Sequence, residues 1–153
     1  MWNGVAMSGE LPLHRAKLTE MFAFWGWDVR EQDLRLAWHI EDVIELAVWV
    51  VFHRVDGVVQ REWVISEPTG MLPIDHLSAT GLPNAPAALR QFAAQWLVIA
   101  NQPLEDRLPP ERVAELRRSK PQVLAQAQQM REMIRVAAEL LADCAAEPGP
   151  PAA

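Results

Sequence analysis

The sequence predicts an α+β fold: a small antiparallel sheet of about three strands, helices packed on one of its faces, and a long C-terminal helix. Three observations predict it. Two β-rich runs flank Asp56-Gly57, residues Leu34 to Ile40 alternate apolar with polar, and later segments carry apolar residues at helical steps.

The chain starts loosely over residues 1–10. Leu13, Ala16, Leu18, Met21, Phe22 and Trp25 then recur at helical spacing, and Gly26 stops the helix. His14 is expected on the surface of its first turn. In DLRLAWHI, Leu34, Leu36, Trp38 and Ile40 alternate with Arg35, Ala37 and His39, the pattern of a half-buried strand. Glu41-Asp42 turns the chain into the hairpin.

Asp56-Gly57 is the strongest local signal, because a type I′ turn needs positive φ at both central residues. Pairing Val55 with Val58 sets the register. Val48 then faces Ile65, Val50 faces Trp63 and Phe52 faces Arg61 on the core side. Trp49 with Val64, Val51 with Glu62 and His53 with Gln60 form a second, mixed and partly covered side.

After Ser66 the chain runs through Glu67-Pro68-Thr69-Gly70 to Pro73-Ile74-Asp75-His76. Pro73 fixes φ and Asp75 is suited to accept backbone N–H bonds in an Asx-type turn, so this stretch reads first as scaffold. Asn84 caps the next helix, with Pro86 in its first turn and Leu89, Phe92, Trp96 and Ile99 on one face. Pro103, Pro109 and Pro110 mark a connector before a short helix, Glu111 to Arg118. Ser119 is the expected cap of the last helix, where Val123, Ala127, Met130, Ile134, Ala137, Leu141 and Cys144 step by four and three. That seam either packs on a neighbouring helix or forms a homodimer. The organisation expected is a core over 1–102, a helical extension over 103–146 lying on the core or a partner, and a disordered tail over 147–153.

Composition removes several functions. A net charge of −6 and a pI near 5.2 exclude nucleic acid and anionic membrane as partners. The longest apolar stretch, Leu46 to Phe52, falls far short of the ~20 residues a membrane helix needs. A single cysteine, Cys144, allows no internal disulfide and fits a reducing cytoplasm. Seven tryptophans without a tyrosine supply packing volume and, where exposed, contact surface for a partner.

The chemistry-bearing residues are sparse. His14, His39, His53 and His76 fall on separate elements without metal-ligand spacing, so no metal is predicted. Gly70 and Gly81 are isolated, which gives no phosphate loop and no cofactor. Asp143 beside Cys144 disfavours a thiolate, and Ser66 is not in a nucleophile elbow, so no residue is assigned to catalysis.

Several motifs occur in a fixed order: Trp49, then Trp63-Val64-Ile65-Ser66, then Leu72-Pro73-Ile74-Asp75-His76, then Ala88-Leu89-Arg90-Gln91-Phe92 with Trp96 one turn on. Together they resemble a family of small bacterial proteins known only as a domain of unknown function. The resemblance runs from Leu46 to Asn101. Glu67 to Met71 look inserted relative to the family pattern, and the helices after Pro103 have no counterpart in it. It implies a small cytosolic α+β domain and brings no activity.

The expected function is a non-enzymatic, cytoplasmic interaction module of the immunity or secretion-chaperone kind, with another protein as partner. The alternative is an enzyme or small-ligand binder at the strand end. There Asp75 and His76 are the polar groups, Trp63 and Trp96 the walls, and Ser66 and Arg90 further hydrogen-bond donors.

Overall fold

The computed structural model describes residues 11–42, 44–103 and 107–147. The expected loose start (1–10) and the tail beyond Glu147 lie outside the described residues. Helix α1 spans Pro12–Trp25 and ends where Gly26 takes a left-handed conformation, φ 73°. The Trp27 amide donates back to the Phe22 carbonyl at 2.9 Å, and this fold-back sets the Trp27 ring 5.9 Å from that of Phe22, nearly parallel. One 3-10 turn, Glu31–Asp33, leads into β1 (Leu34–Glu41), β2 (Glu45–Val55), β3 (Val58–Ser66) and β4 (Asp75–Ser78). Helices α2 (Ala85–Asn101), α3 (Pro110–Ser119) and α4 (Pro121–Ala146) follow.

The strands form an antiparallel meander in the order β1-β2-β3-β4. The β2–β3 register is the one the turn predicts, from Val55 opposite Val58 to Val48 opposite Ile65. Asp56 and Gly57 both have positive φ, 50° and 80°.

The sequence pattern differs from the structure in several places, among them the helices, which cover both faces of the sheet where one was expected, and His14, which is buried where a surface position was expected. The sheet has four strands, because Asp75–Ser78, expected as a turn, pairs with Glu62–Ile65. Pro73 favours an extended backbone before it, and that extension continues into a strand. The alternation in β1 is broken: the register shifts between Leu36 and Trp38. Leu36 therefore joins one face while Trp38 joins the other. Lastly, Ser119 is no cap. Its hydroxyl donates to the Glu115 carbonyl inside α3, and Lys120 stands at the N-cap of α4.

Helices cover both faces. On one, Trp38, Leu46, Val48, Trp63 and Ile65 pack against α2 and the C-terminal half of α4. On the other, Leu36, Ala47, Trp49, Val51 and Val64 receive Leu18 and Phe22 of α1. The predicted register identified both sides; α1 is what covers the mixed one. Asn84 caps α2 through its Oδ1, which accepts from the Ala87 amide at 3.0 Å. Among the described residues no helix is long and apolar enough to cross a membrane.

Candidate functional site

All four histidines lie on the α1 side of the sheet. His53 follows Ala47, Trp49 and Val51 at alternate positions of β2, and His76 stands opposite Val64. His39 arrives there through the bulge: past the register shift it pairs with Ala47, an α1-face residue. His14 sits one turn before Leu18 and two before Phe22 on the buried stripe of α1. An apolar centre of Leu36, Trp49, Val51 and Val64 divides them into two clusters.

The first cluster joins α1 to β1, β2 and the end of β3. His14 Nδ1 lies 2.7 Å from Ser66 Oγ, and its Nε2 lies 2.5 Å from Glu45 Oε2. Trp49 Nε1 donates to the same Ser66 oxygen at 2.8 Å. Burial lowers the pKa of His14 against the opposing hydrogen bond and charge of Glu45, so the ring is held neutral. A neutral ring satisfies these contacts in one tautomer. Trp49 donates to Ser66, Ser66 donates to Nδ1, and Nε2–H donates to Glu45. The members are those of a serine–histidine–carboxylate triad. Yet Ser66 is 0% exposed and His14 1%. His39 borders this cluster, its ring edge-on to His14 at 5.8 Å, with Nε2 3.9 Å from Glu45 and 3.8 Å from Glu41. The donor atoms of His14, His39 and Glu45 all fall within 4.8 Å of one another.

In the second cluster, Glu62 stands between His53 at 3.6 Å and His76 at 3.5 Å. Trp27 lies flat on His53, centroids 3.9 Å apart, and the edges of Trp25 and Trp27 meet His76. A small cavity of about 30 Å³ opens beside His53, lined also by Asp28, Arg30, Asp33 and Phe52. It has room for a water to bond the His53 ring. A wider groove of about 420 Å³ runs between α1 and the segment 27–34, with Phe22, Ala23, Trp27, Val29 and Leu34 as its apolar lining and Arg15, Asp28, Arg30 and Glu31 at its polar edge.

The residues singled out from sequence divide between the two faces. Ser66 and His76 lie on the α1 side, in different clusters. Trp63 and Trp96 are buried on the α2 side, where Trp63 Nε1 donates to the Leu82 carbonyl at 2.9 Å. Arg90 reaches the Ala145 carbonyl at 3.4 Å, tying α2 to the end of α4. Asp75, opposite Ile65, accepts from the His76 amide at 2.8 Å. Of the α4 seam, Ile134, Ala137 and Leu141 are in the core, Ala127 is half-buried, and Val123 and Met130 are exposed. Cys144 is buried, and that burial, with Glu147 and Asp143 nearby, pushes its thiol pKa up.

Sequence reasoning missed His14, Glu45 and His39 as a group. One signal was present: stepping back four residues from Phe22 and Leu18 lands on His14, which puts it on the inward face. Nothing local marks its partner Ser66, 52 positions away.

A family model described as Domain of unknown function (DUF4826) matches residues 37–145. The match runs wider than the Leu46 to Asn101 stretch that carried the resemblance, and it takes in the helices after Pro103. Helix α1 with His14 precedes it. No curated protein matches the chain, and no solved structure does.

Proposed function

The chain belongs to the DUF4826 family, and we propose that it is a cytoplasmic binding protein that holds another protein and catalyses nothing. One observation carries the reading: its most reactive-looking array is sealed. A serine nucleophile must meet a substrate carbonyl at about 3–3.5 Å. Ser66 has no exposed surface, so no substrate carbonyl reaches its oxygen, which meets Trp49 and His14 inside the fold. The triad-like chain pins α1 to the sheet, where each buried polar group satisfies the next.

The groove between α1 and residues 27–34 is the seat this reading assigns to the partner. Its volume suits a few inserted side chains, and folding leaves further large apolar side chains uncovered on the surface. Phe24 on α1 is 82% exposed, and the β2–β3 ribbon carries exposed Val55, Val58 and Val59 at its tip. The net charge of −6 favours a partner with a basic contact surface. Masking such a surface is what an immunity protein or secretion chaperone does, and the likeness is one of build alone. The ligand-site alternative is weakened because the side chains of Asp75, Trp63 and Trp96 belong to the other face of the sheet from that of His76, which adjoins Trp25, Trp27 and Glu62.

The test is capture by the tagged full chain from its native host, followed by mass spectrometry. The expected result is a near-stoichiometric protein that is lost with Ala23→Trp, which fills the groove from an exposed position, while the variant melts like the wild type. A preparation carrying a small molecule and no protein, or capture indifferent to Ala23→Trp, would overturn the proposal.

A further inference from the structure

We propose that His14, His39 and Glu45 form a site for a divalent cation of the zinc class, where α1 meets the β1–β2 end of the sheet. The inference goes beyond partner binding and rests on separate residues. Two imidazoles and a carboxylate are a donor set that zinc accepts, with ligand distances of about 2.0–2.2 Å. In a tetrahedral site those lengths separate the donor atoms by about 3.3 Å. Here Glu45 Oε2 lies 2.5 Å from His14 and Oε1 lies 3.9 Å from His39, and one donor atom from each of the three residues falls within 4.8 Å of the other two, close enough for a small adjustment to reach that spacing. Glu45 turns one oxygen towards each histidine and is part-exposed, so a small rotation of its side chain equalises the distances.

Two further observations point to a cation. His39 Nε2 is buried and has no hydrogen-bond partner, although two carboxylates lie within 4 Å. A ring nitrogen so placed is costly unless something fills the gap. The remaining nitrogen of His14 is held by Ser66, the arrangement that orients metal-bound histidines. Without a cation, the proton on His14 Nε2 bridges to Glu45. With one, the proton moves to Nδ1 and is donated to Ser66 Oγ, which has two lone pairs and so accepts from Trp49 as well. Glu41, exposed and 3.8 Å from His39, is placed to serve as a further ligand. The sequence spacings hid the group because the β1 bulge is what turns His39 towards His14.

The experiment is calorimetric titration of Zn2+ into the full chain after chelator treatment, with thermal melting alongside. The expected result is one Zn2+ per chain and a raised Tm. His39→Gln and Glu45→Gln should each weaken binding by at least about tenfold, while His76→Gln in the other cluster leaves it unchanged. Circular dichroism identifies the variants that remain folded, and His39→Gln alone decides the matter if Glu45→Gln does not fold. Absence of saturable binding overturns the proposal. So does undiminished binding by folded His39→Gln, or loss of binding in His76→Gln.

Discussion

Glu67 follows the last residue of β3, and a single buried carboxylate there organises the loop that the family pattern made look like an insertion. It accepts from the Thr69 amide at 2.8 Å and the Thr69 hydroxyl, and from the amides of Met71 at 2.9 Å and Leu72 at 3.3 Å. Burial alone would raise its pKa, but these bonds outweigh it and hold the carboxyl below its ordinary 4.5. The sign of the pH effect follows. In the window below 4.5 the unfolded chain takes up the proton first, so the contribution is complete above 4.5 and is lost as pH falls through the folded value. Glu67→Gln should therefore cost about 1–3 kcal/mol at neutral pH and flatten the acid limb of the stability curve, read by urea unfolding at a series of pH values. Ser66 teaches a related lesson. The sequence marked it as a contact residue and denied it an elbow, but its two buried partners, His14 and Trp49, come from other elements and leave no local trace.

At the scale of elements, the most legible parts were those where one period ran uninterrupted. The β2–β3 register followed from Asp56-Gly57, and α2 from its cap and apolar steps. β1 misled because its apolar residues keep alternating across the bulge, so the break changes their faces without changing the pattern. β4 has only four residues, and Asp75, His76 and Ser78 leave Leu77 as its one apolar position, too little for an alternation to register. On α4 the steps of four and three run on through two different environments. Ile134 sits in the core beside Ala137 and Leu141, whereas Met130, one turn earlier, is 50% exposed. Ile134→Ala should cost about 2–5 kcal/mol, and Met130→Ala should stay within about 0.5 kcal/mol, both by denaturant titration. Equal costs would mean that the two halves of the helix share one environment. A homodimer built on this helix would have only Val123, Ala127 and Met130 of the stripe left for contact, and Met130→Lys tests it by gel filtration.

Taken whole, the molecule is a sheet between two helical layers that differ in chemistry. The α2–α4 side is a conventional apolar core. The α1 side has an apolar centre with a histidine–carboxylate cluster towards each end, and the fold-back after Gly26 lays Trp27 over one of them. A single helix and its following loop therefore cover both histidine–carboxylate clusters, the arrangement from which we propose a binding role rather than turnover. The most direct test of that account is treatment of the folded chain with a fluorophosphonate serine probe, followed by peptide mass spectrometry. Ser66 is expected to stay unmodified. Phosphonylation of Ser66 that depends on His14 would contradict it and make the triad a catalytic one.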